Sequence, residues 1–195
     1  MAVSSTHRGF RNPPDSTTLE IRVDGHEVID LIPATSPVNE ISITNAATGA
    51  PPAIAAIGDD TNISLRLGAQ GTGVIQTTVP LVEDMTQTAL TDTATVTVAQ
   101  LLTKVLDGTP TSAANYTMPT AALLVAGIAD AQVGDSFFFV INNKSAGSNT
   151  ITVVAGVGCT ADGTLTVAQH VIRTFLIIVT NVTASSEAYS VYGIA

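Results

Sequence analysis

Charge is what this sequence has least of: 12% of its 195 residues are Asp, Glu, Lys or Arg, about half the usual share. Seven basic residues stand against sixteen acidic ones, a formal net charge of −9. That balance sets nucleic acid aside as a partner, because phosphate binding rests mainly on basic side chains displacing counterions. Cysteine is nearly absent. Cys159 alone rules out an intrachain disulfide and any multi-cysteine metal site. Long apolar runs are absent too: Phe137 to Ile141 and Phe175 to Val179 fall far short of the roughly 20 residues that cross a bilayer. No charged-then-apolar signal segment opens the chain. The expectation is a soluble protein made in a host cytoplasm, with no membrane partner.

What is present is a normal apolar share, 45%, sufficient for a real core in a chain of this length. Ser and Thr make up roughly a fifth of the residues. A neutral, Thr-rich and Ala-rich surface suits a protein whose faces are covered by neighbours, since association then strips hydration from few charges.

Residues 1–18 have no apolar periodicity and hold Arg8, Phe10, Arg11 and the pair Pro13-Pro14; they read as an extended arm lying on a partner. From Leu19 the pattern is strand-like. Leu19, Ile21 and Val23 alternate with Glu20 and Arg22, Asp24-Gly25 makes a turn, and Val28 to Ile32 returns as a hairpin. Ile41 to Thr44, then Ala53 to Ile57, are two further pieces separated by the turn-forming stretch 45–52. Asn62 to Leu67 alternates cleanly and predicts another strand, which Gly68 to Gly73 turns into Val74 and Ile75. The polar and acidic stretch from Pro80 to Thr91 is the joint between two parts of the chain. Beyond it, Gln100 to Leu106 is ambiguous between helix and strand, and Thr120 to Ala129 is the one helix expected, of at most three turns. Five strand patterns follow between Ser136 and Tyr192. The predicted architecture is all-β: an arm at 1–18, a β-rich anchoring region at 19–90, and a C-terminal antiparallel, jelly-roll-like β-sandwich at 91–195 with one short helix. Because the runs at Phe137 to Ile141 and Phe175 to Val179 are continuous, both faces of those strands should be covered. Phe137, Phe139, Phe175 and Ile177 are the expected self-association residues.

The inventory for catalysis is thin. Three histidines (His7, His26 and His170) and one cysteine are the main candidates. A Ser-His-Asp set can be written from His170 with Asp135 or Asp162, but any chain so rich in Ser and Asp permits that. Gly-x-Ser-x-Gly, Walker, His-Glu-x-x-His and Cys-x-x-Cys motifs do not occur. Cys159 has no basic neighbour in sequence to lower its pKa and reads as an inert, semi-buried residue. Asp59-Asp60 with Thr61 and Asn62 offers oxygen atoms, yet matches no defined calcium loop. Asn62, Asn115, Asn143 and Asn181 head Asn-x-Ser/Thr triplets, which a Thr-rich chain produces by chance. Neither a cofactor nor a metal is expected, and the chain reads as non-enzymatic.

Two phrases carry a family likeness. Gly58-Asp59-Asp60-Thr61-Asn62-Ile63-Ser64-Leu65-Arg66-Leu67, continuing through Gly71-Thr72-Gly73-Val74-Ile75, resembles a phrase of bacteriophage structural proteins, in fibre-like and capsid-surface components. Tyr116-Thr117-Met118-Pro119, followed by Val133 to Phe137 and Ile141-Asn142-Asn143, is similar to the pattern of small β-sandwich domains in phage surface proteins. The resemblance implies a trimeric β-sandwich module exposed on the particle, anchored by its N-terminal part, with no catalytic residues to carry over. Fibre proteins usually have longer repetitive shafts, whereas the Gly-Thr-Gly phrase stands here once, which favours a compact decoration or cement protein. The expected function is therefore capsid decoration at the virion surface, as a homotrimer across junctions of the major capsid protein, with Arg8, Phe10 and Arg11 on the capsid. The alternatives are a tail, head-fibre or receptor-binding protein displaying Asn142 to Asn149, a small β-sandwich hydrolase or lyase using His170, and a major coat protein.

Overall fold

The computed structural model describes residues 19–23, 26–31, 35 and 37–194. The arm at 1–18 lies outside the described residues. The chain divides into two compact units, one ending at Leu65 and the other starting at Arg66.

The first unit contains two antiparallel hairpins. Strand β1 (Leu19–Val23) pairs with β2 (His26–Leu31), with a register irregularity at Ile21/Arg22. Strand β3 (Asn39–Thr44) pairs with β4 (Ala53–Gly58), setting Ile41 opposite Ala56 and Ile43 opposite Ile54. The first was legible from alternation and turn chemistry; the second was legible as two apolar pieces, not as a pair. Gly58 closes the second hairpin at φ +152, where a Cβ would collide with the Val38 carbonyl and the Asn39 side chain. Only glycine avoids that collision.

The second unit holds two sheets that share one buried core. The larger contains β5 (Thr86–Leu90), β7 (Lys104–Gly108), β9 (Ser136–Asn143), β11 (Cys159–Gly163), β13 (Ile172–Asn181) and β14 (Ala188–Gly193), in the order β11-β14-β13-β9-β7-β5. The smaller contains β6 (Ala94–Thr95), β8 (Ala114–Thr117), β10 (Ile151–Val154) and β12 (Thr166–Val167), in the order β12-β10-β8-β6. The all-β expectation holds, but the antiparallel detail is corrected. Parallel pairs are β5 with β7, β7 with β9, β11 with β14, β6 with β8 and β8 with β10. The cause is the path of the chain. From β5 to β13 each strand lies in the opposite sheet from the one before it. Two reversals bring the chain back to the first sheet in its original direction, so neighbours there run parallel through long crossovers. From β5 to β13 the turns between strands join different sheets; only β13 and β14 are consecutive strands paired in one sheet of this unit.

Two short helices lie on these crossovers rather than one. α1 (Val98–Leu102) is started by a Thr97/Gln100 capping box, in which side chain and backbone satisfy each other's donors. The ambiguous stretch Gln100 to Leu106 thus divides into the end of α1 and strand β7. α2 (Ala121–Gly127) is capped by Thr120 and buries Ala121 and Leu124; it is shorter than the expected Thr120 to Ala129.

The core runs from Leu90 to Val191 and includes Leu106, Tyr116, Phe139, Ile141, Ile151, Phe175 and Ile177. The rings of Phe139 and Phe175 stack at 5.2 Å, across a register that sets the two residues opposite each other on β9 and β13. The two buried tyrosines tie off carbonyls: Tyr116 Oη donates to Leu90 O at 3.1 Å and Tyr189 Oη to Pro119 O at 2.7 Å. That removes the cost of burying an unpaired hydroxyl. Strand β5 is part of the larger sheet, so the unit containing it starts well before the expected boundary at 90/91.

Candidate interaction surface

On strands whose side chains alternate, the faces of the two sheets can be followed residue by residue. Phe139, Phe175 and Ile177 point into the core and are fully buried, and Phe137 is partly buried against it. These expected self-association residues are therefore consumed by the chain's own fold. Their neighbours in sequence point the other way.

Phe138 on β9 sits opposite Leu176 on β13, which sits opposite Tyr192 on β14. Val105, Val140 and Thr174 form a parallel row, and Ser136, Ile178 and Ser190 another. Phe138 is 54% exposed and Ile172, at the end of β13, 65%; Val105, Val140, Leu176 and Ile178 are half-buried. The smaller sheet turns out a different set: Thr166, Thr152 and Asn115 in one row, Val154, Thr117 and Thr95 in the next. One outward face is mostly hydroxyls and amides, with Val154 among them; the other carries Phe138, Leu176, Tyr192, Val105, Val140 and Ile178 among Thr174, Ser136 and Ser190.

A polar cluster holds one end of the larger sheet. Asp107 takes the Lys144 ammonium at 2.6 Å and the Asn142 amide at 3.1 Å. Fully buried Asn143 donates to Asn149 O and Val167 O, both at 2.8 Å, and accepts from Ser145 N. Ser145 Oγ and Asn149 Nδ2 both donate to Pro110 O, and Gln169 donates to Ser145 O. No described buried side-chain nitrogen or oxygen lacks a partner. The loop Asn142 to Asn149 is thus held as a fixed element, and Asn143, one of the triplet asparagines, has its amide engaged inside the fold.

The catalytic candidates are dispersed. His170 is exposed at φ +59 and its backbone N–H donates to Asn143 O. Asp135 accepts from Gln132 N and Asp162 from Gly163 N, each within its own turn. Among the described residues neither carboxylate bonds to His170. Burial pushes the Cys159 thiol up, with Tyr189 as its side-chain neighbour, the direction that lowers thiolate character. Asp60 accepts from Asn39 Nδ2 at 2.7 Å, and no group of three or more His, Cys, Asp or Glu among the described residues is placed to hold a metal. No described helix is long and apolar enough to cross a membrane. His7, Arg8, Phe10 and Arg11 lie outside the described residues.

Residues 37–85 expose many apolar side chains, and none of these residues is buried. Ile41 is 63% exposed, Ile43 77%, Leu67 65% and Val82 89%. Asn62 to Leu67, expected as a strand, has no regular structure, nor has the stretch from there to Met85. Its alternation of Ile63, Leu65 and Leu67 meets no described strand to pair with. Sequence reasoning reached the strand pattern but not this exposure, because alternation reports a preference for a half-covered surface without saying which chain supplies the cover.

The chain matches no family model, no curated protein and no solved structure among those compared.

Proposed function

We propose that this chain is a non-enzymatic structural subunit of a larger assembly, and that the assembly is the outer surface of a bacteriophage virion. The observation that carries the subunit reading is the run of exposed apolar side chains from Val38 to Met85. A two-stranded hairpin is at best marginal in water, and exposed apolar side chains in such number mark an interaction site. Residues 37–85 are built to be completed by other chains. The virion reading adds the resemblance of Gly58 to Ile75 and of Tyr116 to Asn143 to phage surface components. On that reading the chain is a decoration or cement protein: the region ahead of β5 lies over junctions of the major capsid protein, and the β-rich unit is displayed outward as a homotrimer. Repeated attachment makes individually weak contacts collectively tight.

The fixed loop Asn142 to Asn149 favours a second reading, a tail or fibre protein that presents a rigid recognition surface. Copy number separates the two. Quantitative gel staining of purified particles, with imaging of particles that carry and lack the protein, is expected to find hundreds of copies on the capsid and weaker shells on removal. A handful of copies at a tail would move the assignment to recognition. Absence from particles would overturn both.

A further inference from the structure

We infer that the outward face of the larger sheet is a docking face for a second copy of this chain. This deepens the subunit reading above and rests on it.

The face is contiguous. Phe138, Leu176 and Tyr192 lie side by side across three hydrogen-bonded strands, flanked by Val140 and Ile178. The contrast with the smaller sheet is internal to the molecule: there the same alternation delivers Thr95, Asn115, Thr117, Thr152 and Thr166 to the outside, with Val154 the apolar side chain among them. On the larger sheet the outward rows of β9, β13 and β14 set Phe138, Val140, Leu176, Ile178 and Tyr192 among Ser136, Thr174 and Ser190.

Size and charge identify the occupant. Six strands at about 4.8 Å spacing, averaging roughly 21 Å in length, present on the order of 600 Å². That approaches the roughly 800 Å² per partner of a standard interface. On β9, β13 and β14 the outward positions carry no carboxylate, ammonium or guanidinium. Lys144 and Asp107 at one end neutralise each other, which leaves Asp162 at the β11 edge. A foreign partner selected by electrostatic complementarity would find nothing to read here. For two copies that each carry −9, approach over β9, β13 and β14 brings no like charges together. A two-fold axis between copies sets the same apolar patch against itself, with the sheets stacked face to face about 10 Å apart, a pairing separate from the threefold of the proposed homotrimer.

The test is sedimentation equilibrium of the full chain beside the double variant Phe138→Ser/Leu176→Thr and the control Thr152→Asp on the other sheet. Circular dichroism melts check that each is folded. The wild type and the control should sediment as the same oligomer, and the double variant should associate roughly a hundredfold more weakly. If the double variant fails to fold, Tyr192→Ser at the margin of the patch takes its place, with the same expected direction. A wild type that is monomeric at high micromolar concentration, or a folded variant that keeps the wild-type mass, overturns the inference. A monomeric chain that is nevertheless abundant in particles leaves the subunit reading standing and removes this one; a stable oligomer absent from particles does the opposite.

Discussion

Residues 37–85 and residues 86–194 use similar apolar residues with opposite results. In the second stretch Phe139, Ile141, Phe175 and Ile177 are fully buried; in the first, no residue is buried at all. Strand propensity does not account for the difference, since Ile41 and Ile43 on β3 alternate as well as Phe139 and Ile141 on β9. What differs is the second layer. The chain from β5 onward passes back and forth between two sheets and supplies its own cover, whereas β3 and β4 form a two-stranded sheet with no described strand added to it. A sequence can thus specify a strand locally while leaving its burial to another molecule.

Point substitutions should reproduce that contrast most strongly in the aromatic stack. Phe139→Ala removes the partner of Phe175 and is expected to cost about 3–5 kcal/mol in urea titrations of the free chain. Ile43→Ala, at a position 77% exposed, should cost under about 0.5 kcal/mol. Equal losses would erase the distinction between the two regions.

Alkali should act on the buried region alone. Burial, with the charge of Asp92 adding to it, pushes the Tyr116 phenol up to about 12, against roughly 10 in an unfolded chain. Tyr189 is also pushed up by burial. The fold favours the neutral phenol, so the Tyr116 contribution is complete below about pH 10 and is lost as pH rises toward 12, roughly 2–3 kcal/mol in all. Phenolate absorbance followed beside circular dichroism should show Tyr116 ionising only as the fold opens. Ionisation near pH 10 with the fold intact would contradict its burial.

A smaller effect is expected from Asn143→Ala, which strands the carbonyls of Asn149 and Val167 and the N–H of Ser145. The loss should be about 1–3 kcal/mol, read as a lower thermal midpoint, together with faster proteolysis of Asn142 to Asn149. The mildest prediction concerns Cys159. Labelling by a thiol reagent should be slow in the native chain and accelerate on unfolding, because burial raises the thiol pKa; fast native labelling would place that residue outside the core.

Much of the fold was legible in the sequence because strands announce themselves locally. The first hairpin, five of the six strands from Ser136 to Tyr192 and the Thr120 helix start follow from alternation, turn residues and capping; β11 over Cys159–Gly163 was not legible. Pairing was not legible, since a Gly/Asn turn looks the same whether it joins neighbours in one sheet or strands in facing sheets. The surface assignment slipped for a related reason. In a continuous apolar run such as Phe137-Phe138-Phe139, the sequence does not state which parity faces inward. The core took Phe139 and left Phe138 outside.

Hydrogen exchange of the chain, free in solution and then in purified particles, tests most directly whether residues 37–85 are completed by other molecules. The expected result is rapid exchange from 37 to 85 in the free chain, strong protection from 86 to 194 in both states, and new protection of 37–85 in the particle. Strong protection of 37–85 in the free monomer would contradict the account, because the stretch would then fold without a partner.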